Sequence, residues 1–383
     1  MVNAAGVHLS RNTELTYPPR LPLSHAPWAS VAAFPTAAVR LTLLVMHSLR
    51  SPYLLYLGAA QHLTDAKTAC GLRDWCPDKV LGEWALPESR VTLGLPRLSP
   101  AEAAAKGAGS LIIGIASVGG TVPEAWLPDL LAAIGAGLDL VSGMHTRLSS
   151  FPVLVEAAQR HGVQLIDVRH GTQSYPAGTG RKRSGQRIAT VGTDCALGKK
   201  YTALALTKAL QAQGAKATFR ATGQTGIMIA GEGIAIDAVV ADFVAGAAEL
   251  LSPDNDPDHF DVIEGQGALF HPAYAGVTLG LLHGSQPDWI VLCHDVSRVH
   301  IEHRPDFPIP PLDEAAAQYL QAARITNRAV QLAGVSVNSS SLDDYDWHQY
   351  RENTSRTLGV PVCDPLRGGV EAIVSRVLGV SSL

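Results

Sequence analysis

The sequence predicts an α/β protein of two doubly wound domains, each built on a mainly parallel sheet. Three observations carry that expectation. Short apolar runs recur along the chain, alanine-rich stretches with helical spacing lie between them, and a glycine-bounded loop from Val191 to Thr202 joins a β-branched strand to a helix. Strands covered on both faces read as continuous apolar runs, and helices between them imply parallel pairing. With 383 residues, 46% hydrophobic and 17% charged, the chain has material for two cores of ordinary size and lacks a disordered composition.

Composition also narrows function. A net charge of −4 argues against a surface that coats nucleic acid, which needs a basic excess. The five cysteines are scattered, with no CxxC pair and no Cys/His cluster at metal spacing. They read as reduced thiols of a cytoplasmic protein with no metal site. No apolar run reaches the roughly 18 to 20 residues that a bilayer span needs, so no membrane partner is expected.

Residues 1–45 carry several arginines and prolines and almost no acidic residues, which reads as a poorly ordered extension. A transit peptide has a similar composition, and Met46 is an alternative start. Residues 46–170 form the first domain. Tyr53 to Ala59 reads as a buried strand, and Leu111 to Gly120 as another that ends in a glycine turn. Leu138 to His145 and Gln164 to His170 repeat the plan, with helices expected over Pro100 to Gly107, Pro128 to Gly135 and Val153 to His161. Ligands of such sheets collect beyond the carboxyl ends of strands. Those positions are Gly119 and Gly120, the Ser142 to Leu148 segment, and Asp167, Arg169 and His170.

Residues 171–186 read as a linker, rich in glycine, proline and serine. Its Arg181-Lys182-Arg183 run is either solvated charge or a contact to a ligand phosphate. Residues 187–383 form the second domain. Its strand Arg187 to Val191 enters GTDCALGKK, and a helix follows over Lys199 to Gln213. That context makes the loop a P-loop, whose backbone amides, helix N-terminus and Lys199 suit a phosphate or pyrophosphate. The usual pattern places Ser or Thr after the lysine to hold Mg²⁺; here that position is Lys200. Gly192, Thr193, Gly198, Lys199, Lys200, Tyr201, Thr202 and, from a later strand end, Asn338 are the expected binders of the phosphate-bearing ligand.

The rest of the domain alternates in the same way. Lys216 to Gly226 reads as a strand running into a glycine-rich loop, Ile236 to Leu251 as a helix, and His259, Trp289, Leu332 and Val360 open further strand segments. Glu264 at a strand end, expected to face the P-loop, is the first choice to accept a proton; its bland reading is a partner for Lys199 or Lys200. Asp194 inside the loop is a base or a loop-shaping residue. His271 is a base or a structural histidine in a glycine-framed loop. Arg220 suits a carboxylate by its planar fork, with Gln224, Thr225, Gln266, Arg147 and Arg169 as further substrate contacts. Cys195 lacks a readable His partner and is not expected to be a nucleophile. The acidic run Asp254 to Asp258 reads as a solvated loop.

The runs GTDCALGKKYT, RATGQTGIMIAG, VIEGQGALFHPAYAGVTLGLLHGSQPD and VLCHD, with IGIASVGGTVPEAW and GMHTRLS upstream, resemble the D-glutamate N-acetyltransferase family. The resemblance covers Tyr53 to the C-terminus. It implies a Rossmann-like domain followed by a P-loop NTPase-like domain, acetyl-CoA as co-substrate and an amino acid acceptor in D-amino acid catabolism. A homo-oligomer is expected, though no residue of the sequence fixes the oligomeric state. GTDCALGKK, IEGQG and GVSVN are also distantly similar to dethiobiotin synthetase, in which a threonine follows the P-loop lysine.

Lys200 in that place weakens magnesium binding without removing phosphate affinity, which favours acetyl transfer over phosphoryl chemistry. The acceptor amine then needs a base, ranked Glu264, Asp194, His271, and amides of the P-loop or of the TGQTG turn would stabilise the oxyanion. The alternative is an ATP/Mg-dependent kinase or ligase acting on an amino or dicarboxylic acid, with Glu264 and Thr202 holding the metal.

Overall fold

The computed structural model describes residues 45–46, 49–115, 118–171 and 173–380. Apart from Val45, the expected extension over 1–45 lies outside them. The two-residue β1 (Val45–Met46) comes first, then β2 (Tyr53–Tyr56), α1 (Lys67–Trp75), β3 (Val80–Trp84), α2 (Pro100–Ala105) and β4 (Ser110–Ile113). α3 (Leu127–Gly135), β5 (Asp139–Ser142), α4 (Pro152–His161) and β6 (Leu165–Asp167) complete the first sheet, whose order is β3-β2-β4-β5-β6. Every ladder in it is parallel. α2 starts where it does because Ser99 and Glu102 close a capping box.

Alternation along these strands feeds two cores. Leu54, Tyr56, Leu111, Ile113 and Leu140 pack on Ala103, Leu130, Ile134 and Leu154 of α2, α3 and α4. Tyr53, Leu55, Ile112 and Val141 point the other way, onto Ala69 and Leu72 of α1 and onto Ile227 and Met228. The last two belong to the second half of the chain. One apolar face of the first sheet is therefore finished by a helix of the other domain, and burial of that face locks the two halves together.

The second half runs β7 (Gln186–Gly192), α5 (Lys199–Ala212), β8 (Lys216–Arg220), α6 (Gln224–Ala230), β9 (Glu232–Gly233), α7 (Val244–Leu251) and β10 (His259–Ile263). It continues with α8 (Ala275–Ser285), β11 (Trp289–Asp295), the hairpin β12 (His300–Ile301) and β13 (Arg304–Pro308), and α9 (Leu312–Ala323). β14 (Gln331–Asn338), α10 (Asp344–Leu358), β15 (Val362–Cys363) and α11 (Glu371–Leu378) end the described chain. The six-stranded sheet is ordered β15-β14-β11-β7-β10-β8, all parallel. α5 and α11 cover one face through Leu206, Leu210, Ile373 and Val374, and α7 and α8 cover the other through Val244, Ala247 and Leu281. β7 lies between strands reached by opposite windings, so its carboxyl end is the switch point where ligands of such sheets bind.

Some local expectations are corrected. The TGQTG segment is the start of helix α6, not a loop. The helix expected from Ile236 begins only at Val244, after two short 3₁₀ turns around the extended Val239 and Val240. Of the basic triplet Arg181 and Lys182 are exposed surface charge, as expected, and only Arg183 is buried. Arg181 pairs with Asp254 and Lys182 with Asp288, both at 2.6 Å. Arg183 is 6% exposed and donates to the carbonyls of Ser252 and Gly284, both at 2.7 Å. The acidic loop is solvated as expected, with Asp256 and Asp258 both 69% exposed and within reach of Lys216.

Candidate active site

The P-loop holds its own lysine. Lys199 donates to the Asp194 carbonyl at 2.8 Å, and burial pulls its pKa down. A Cβ on Gly192 would lie 3.2 Å from Lys199 Nζ, so the glycine leaves room for the ammonium. Gly198, at φ +101°, opens α5 with no side-chain cap, which leaves the first amides of the helix for a ligand.

Several expected binders are occupied elsewhere. Thr193 gives its amide to the Cys293 carbonyl at 3.1 Å and its hydroxyl meets His294 Nδ1 at 2.9 Å. Thr202 is buried beneath the loop, 2.7 Å from the Ser336 hydroxyl. Tyr201 donates to Asp74 at 2.5 Å and meets Trp75 edge-on, so it docks α1. Asn338 is committed to Asp295 and the Ser340 amide.

Asp194 shapes the loop and is corrected as a base. Oδ1 accepts the Cys195 amide at 2.6 Å, and Oδ2 accepts Arg298 Nη1 at 2.9 Å and the Glu302 amide at 2.8 Å. Arg298 was not anticipated; it also donates to the Cys195 carbonyl at 2.8 Å.

Glu264, just beyond β10, is 4% exposed. It faces the start of α6 rather than the P-loop directly. Oε2 accepts the amides of Thr222 and Gly223 at 2.9 and 3.0 Å, and Oε1 has no hydrogen bond among the described residues. Burial raises its pKa, opposed by those amides and by the Lys200 charge. The same bonds remove the TGQTG amides of Thr222 and Gly223 as oxyanion donors. The glycines of the motif make this approach possible: a Cβ on Gly226 would lie 2.2 Å from Oε2, and one on Gly223 would lie 2.4 Å from Gln266 Nε2. Gln266 bonds the Thr222 hydroxyl at 3.2 Å.

Lys200 turns out of the loop towards this carboxylate. Its Nζ would lie 2.7 Å from a Cβ on Gly71 of α1, where Thr225 is also in contact. Burial brings its pKa down to about 8, partly offset by Glu264. The opposite wall comes from the first domain. Thr68 meets the Thr225 hydroxyl at 2.9 Å and accepts Gln224 Nε2 at 3.2 Å. Gln224 Oε1 packs against Gly143, buried and without a hydrogen-bond partner.

Arg169 crosses the seam, donating to the Gly143 carbonyl at 2.8 Å and pairing with Asp237. Arg147 is exposed at a side cavity of about 330 Å³, lined also by His170, Tyr175 and Phe243 and not by Glu264. Arg220 is corrected outright. It pairs with buried Asp261 at 2.8 Å, on the sheet face opposite α5 and Glu264, so its fork neutralises a core carboxylate.

Asp194, Cys195 and His271 bring ligand atoms within 4.8 Å of one another, a grouping that sequence spacing hides. Their donor set does not fit a metal. Both Asp194 oxygens are engaged, Arg298 already supplies the cation, and burial raises the Cys195 pKa. His271 Nδ1 accepts the Ala273 amide at 3.1 Å, so its proton sits on Nε2. His271 is thus a donor, not the base expected of it, and burial lowers its pKa. The magnesium set of the ATP-dependent reading does not fit either: Lys200 replaces the hydroxyl, Thr202 is turned to Ser336, and Glu264 Oε2 is held by amides.

Comparison with known proteins agrees with this two-part architecture. Residues 83–171 match the DUF1611_N Rossmann-like domain and residues 176–374 the DUF1611_C P-loop domain, both described as domains of unknown function. A protein of Pseudoalteromonas sp named D-glutamate N-acetyltransferase is 45% identical over 329 residues, covering 86% of this chain and 99% of its own. One of the same name from Tritonibacter scottomollicae is 45% identical over 332 residues, covering 87% and 100%. The crystal structure of a DUF1611 family protein from Anabaena variabilis superposes with a TM-score of 0.77 at 32% identity, covering 86% of this chain and 99% of that one. Among the described residues no helix is long and apolar enough to cross a membrane. The shared sequence, running through both sheets and the seam between them, places this chain in the D-glutamate N-acetyltransferase (DUF1611) family.

Proposed function

We propose that the protein transfers the acetyl group of acetyl-CoA to the amine of D-glutamate, in the catabolism of D-amino acids. The observation that carries this reading is the buried Glu264 carboxylate, with Oε2 fixed by two amides, Oε1 unbonded, and Lys200 alongside. A carboxylate whose pKa is raised by burial accepts a proton from an ammonium group more readily than an ordinary one.

In the proposed step Glu264 Oε1 takes one proton from the acceptor ammonium. The freed nitrogen pair attacks the thioester carbonyl carbon, and the carbon–sulfur bond breaks with its electrons leaving on sulfur. A second nitrogen proton ends on the thiolate, and Glu264 returns the first to solvent. Lys200 meets an acceptor carboxylate. Lys199 and the start of α5 hold the pyrophosphate of the donor, which needs no metal because no phosphoryl group moves.

The test is thiol release from acetyl-CoA with D- or L-glutamate, with EDTA in one arm and ATP with Mg²⁺ in another, and mass analysis of the product. N-acetylglutamate formed from the D isomer in EDTA is expected. ADP or AMP without coenzyme A release would sink the proposal.

A further inference from the structure

α1 lies across the mouth of the P-loop, and one of its faces points at the second domain. Thr68 bonds Thr225 and Gln224, Gly71 touches Lys200 Nζ, Asp74 accepts Tyr201, and Trp75 packs on the Tyr201 ring. Residues three and four apart share a helix face. Lys67, four residues before Gly71 and the first residue of the helix, therefore stands on this face one turn nearer the N-terminus. It is exposed and has no ion pair or hydrogen bond from its side chain among the described residues.

The surroundings of Lys67 are cationic and built from both domains. Burial is the main reason that Lys200 titrates low, and the Lys67 charge pushes the same way. Its charge is also felt at Cys195, in the middle of the P-loop, where burial and Lys199 act more strongly. α1 begins without a side-chain cap, as α5 does, and the Lys67 charge reaches both Lys200 and the P-loop residue Cys195. Cations gathered at one opening repel one another and are stabilised by a multivalent anion. Glu264 and Asp74 partly offset the Lys200 charge, and Asp194 is spent on Arg298.

We propose that Lys67 is a second, first-domain clamp on the donor pyrophosphate, so that the phosphate site is complete only when α1 is docked on the P-loop. This rests on the P-loop being the donor site of the proposed acetyl transfer. It makes Lys67 a binding residue: its loss weakens the donor and leaves the acceptor and the chemical step alone.

The experiment titrates inorganic pyrophosphate into the whole protein by calorimetry and measures KM for acetyl-CoA. Wild type, Lys67→Ala, Lys67→Arg, Lys199→Ala and, as a charge control on the exposed side of α5, Lys208→Ala are compared. Lys67→Ala is expected to weaken pyrophosphate binding and raise KM for acetyl-CoA, each about tenfold, with kcat and KM for D-glutamate unchanged. Lys67→Arg restores both and Lys208→Ala changes neither. Pyrophosphate binding lost in Lys199→Ala but intact in Lys67→Ala overturns the clamp and spares the P-loop reading. Lys67-dependent pyrophosphate binding without acetyl transfer upholds the clamp and overturns the choice of donor.

Discussion

Lys200 and Gly71 meet across the seam between the two sheets: a Cβ on Gly71 would lie 2.7 Å from the lysine nitrogen. The contact fixes where the second cation of the P-loop points. It also explains why α1 carries a glycine at mid-helix, where propensity alone disfavours it. The same Cβ would also lie 2.7 Å from the methyl of buried Thr225, so Gly71→Ala is expected to displace the ammonium, raise KM for D-glutamate several-fold and cost about 1–3 kcal/mol of stability by overpacking. Steady-state kinetics with varied acceptor checks it.

The charge on Lys200 is expected to set the alkaline limit of activity. Its pKa falls from 10.5 to about 8, so the folded protein loses this proton at lower pH than the unfolded chain. The unfolded state then binds more protons between those values, and the contribution of this group to stability rises with pH across that window. Activity runs the other way. With saturating acetyl-CoA, kcat/KM for D-glutamate is expected to fall about tenfold per pH unit above 8 as the ammonium is neutralised. Lys200→Arg, whose charge persists at any working pH, moves that limb upward by more than a unit.

Gly226 has ordinary helical geometry, so its role is purely steric. A methyl group there would lie 2.2 Å from Glu264 Oε2 and force the carboxylate off the Thr222 and Gly223 amides. Gly226→Ala is expected to cost about 1–3 kcal/mol of stability by overpacking, and to lower kcat. Urea unfolding and kinetics on the same preparation separate the two effects.

His271 is expected to remain neutral, with the Nε2 proton, because the Ala273 amide occupies Nδ1 and burial disfavours the charged ring. Nitrogen-15 NMR of histidine-labelled protein between pH 6 and 8 should show an unprotonated Nδ1. An imidazolium signal at pH 7 would contradict the assignment.

The layered fold was legible because both sheets are buried on both faces, which turns their strands into continuous apolar runs such as Tyr53–Tyr56 and Trp289–Asp295. The P-loop was legible because glycines and a lysine must stand at fixed places between strand and helix. α6 was not: the glycines that admit Glu264 and Gln266 also make the segment look like a loop. α1 was missed because its mean composition is polar and its useful face is read by another domain rather than by a core.

The same distinction governs the site. Glu264, Lys199 and Lys200 are set by strand-end and loop position, which sequence shows. Whether Thr193, Asp194, Tyr201, Thr202, Asn338 or Arg220 is free depends on partners 41 to 134 residues away, such as Ser336, Arg298, Asp74 and Asp261. Lys67 and Arg298 left no local motif at all.

The most direct measurement is the single-turnover rate of acetyl transfer to D-glutamate by Glu264→Gln, in EDTA, with acetyl-CoA binding measured on the same protein. The side chain keeps its size and an oxygen for the two amides but cannot accept the proton. The rate is expected to fall about 10² to 10⁴-fold while donor affinity stays unchanged. A rate within about threefold of wild type, well short of the loss expected for a general base, would show that another group takes the proton and that the role assigned to Glu264 is wrong.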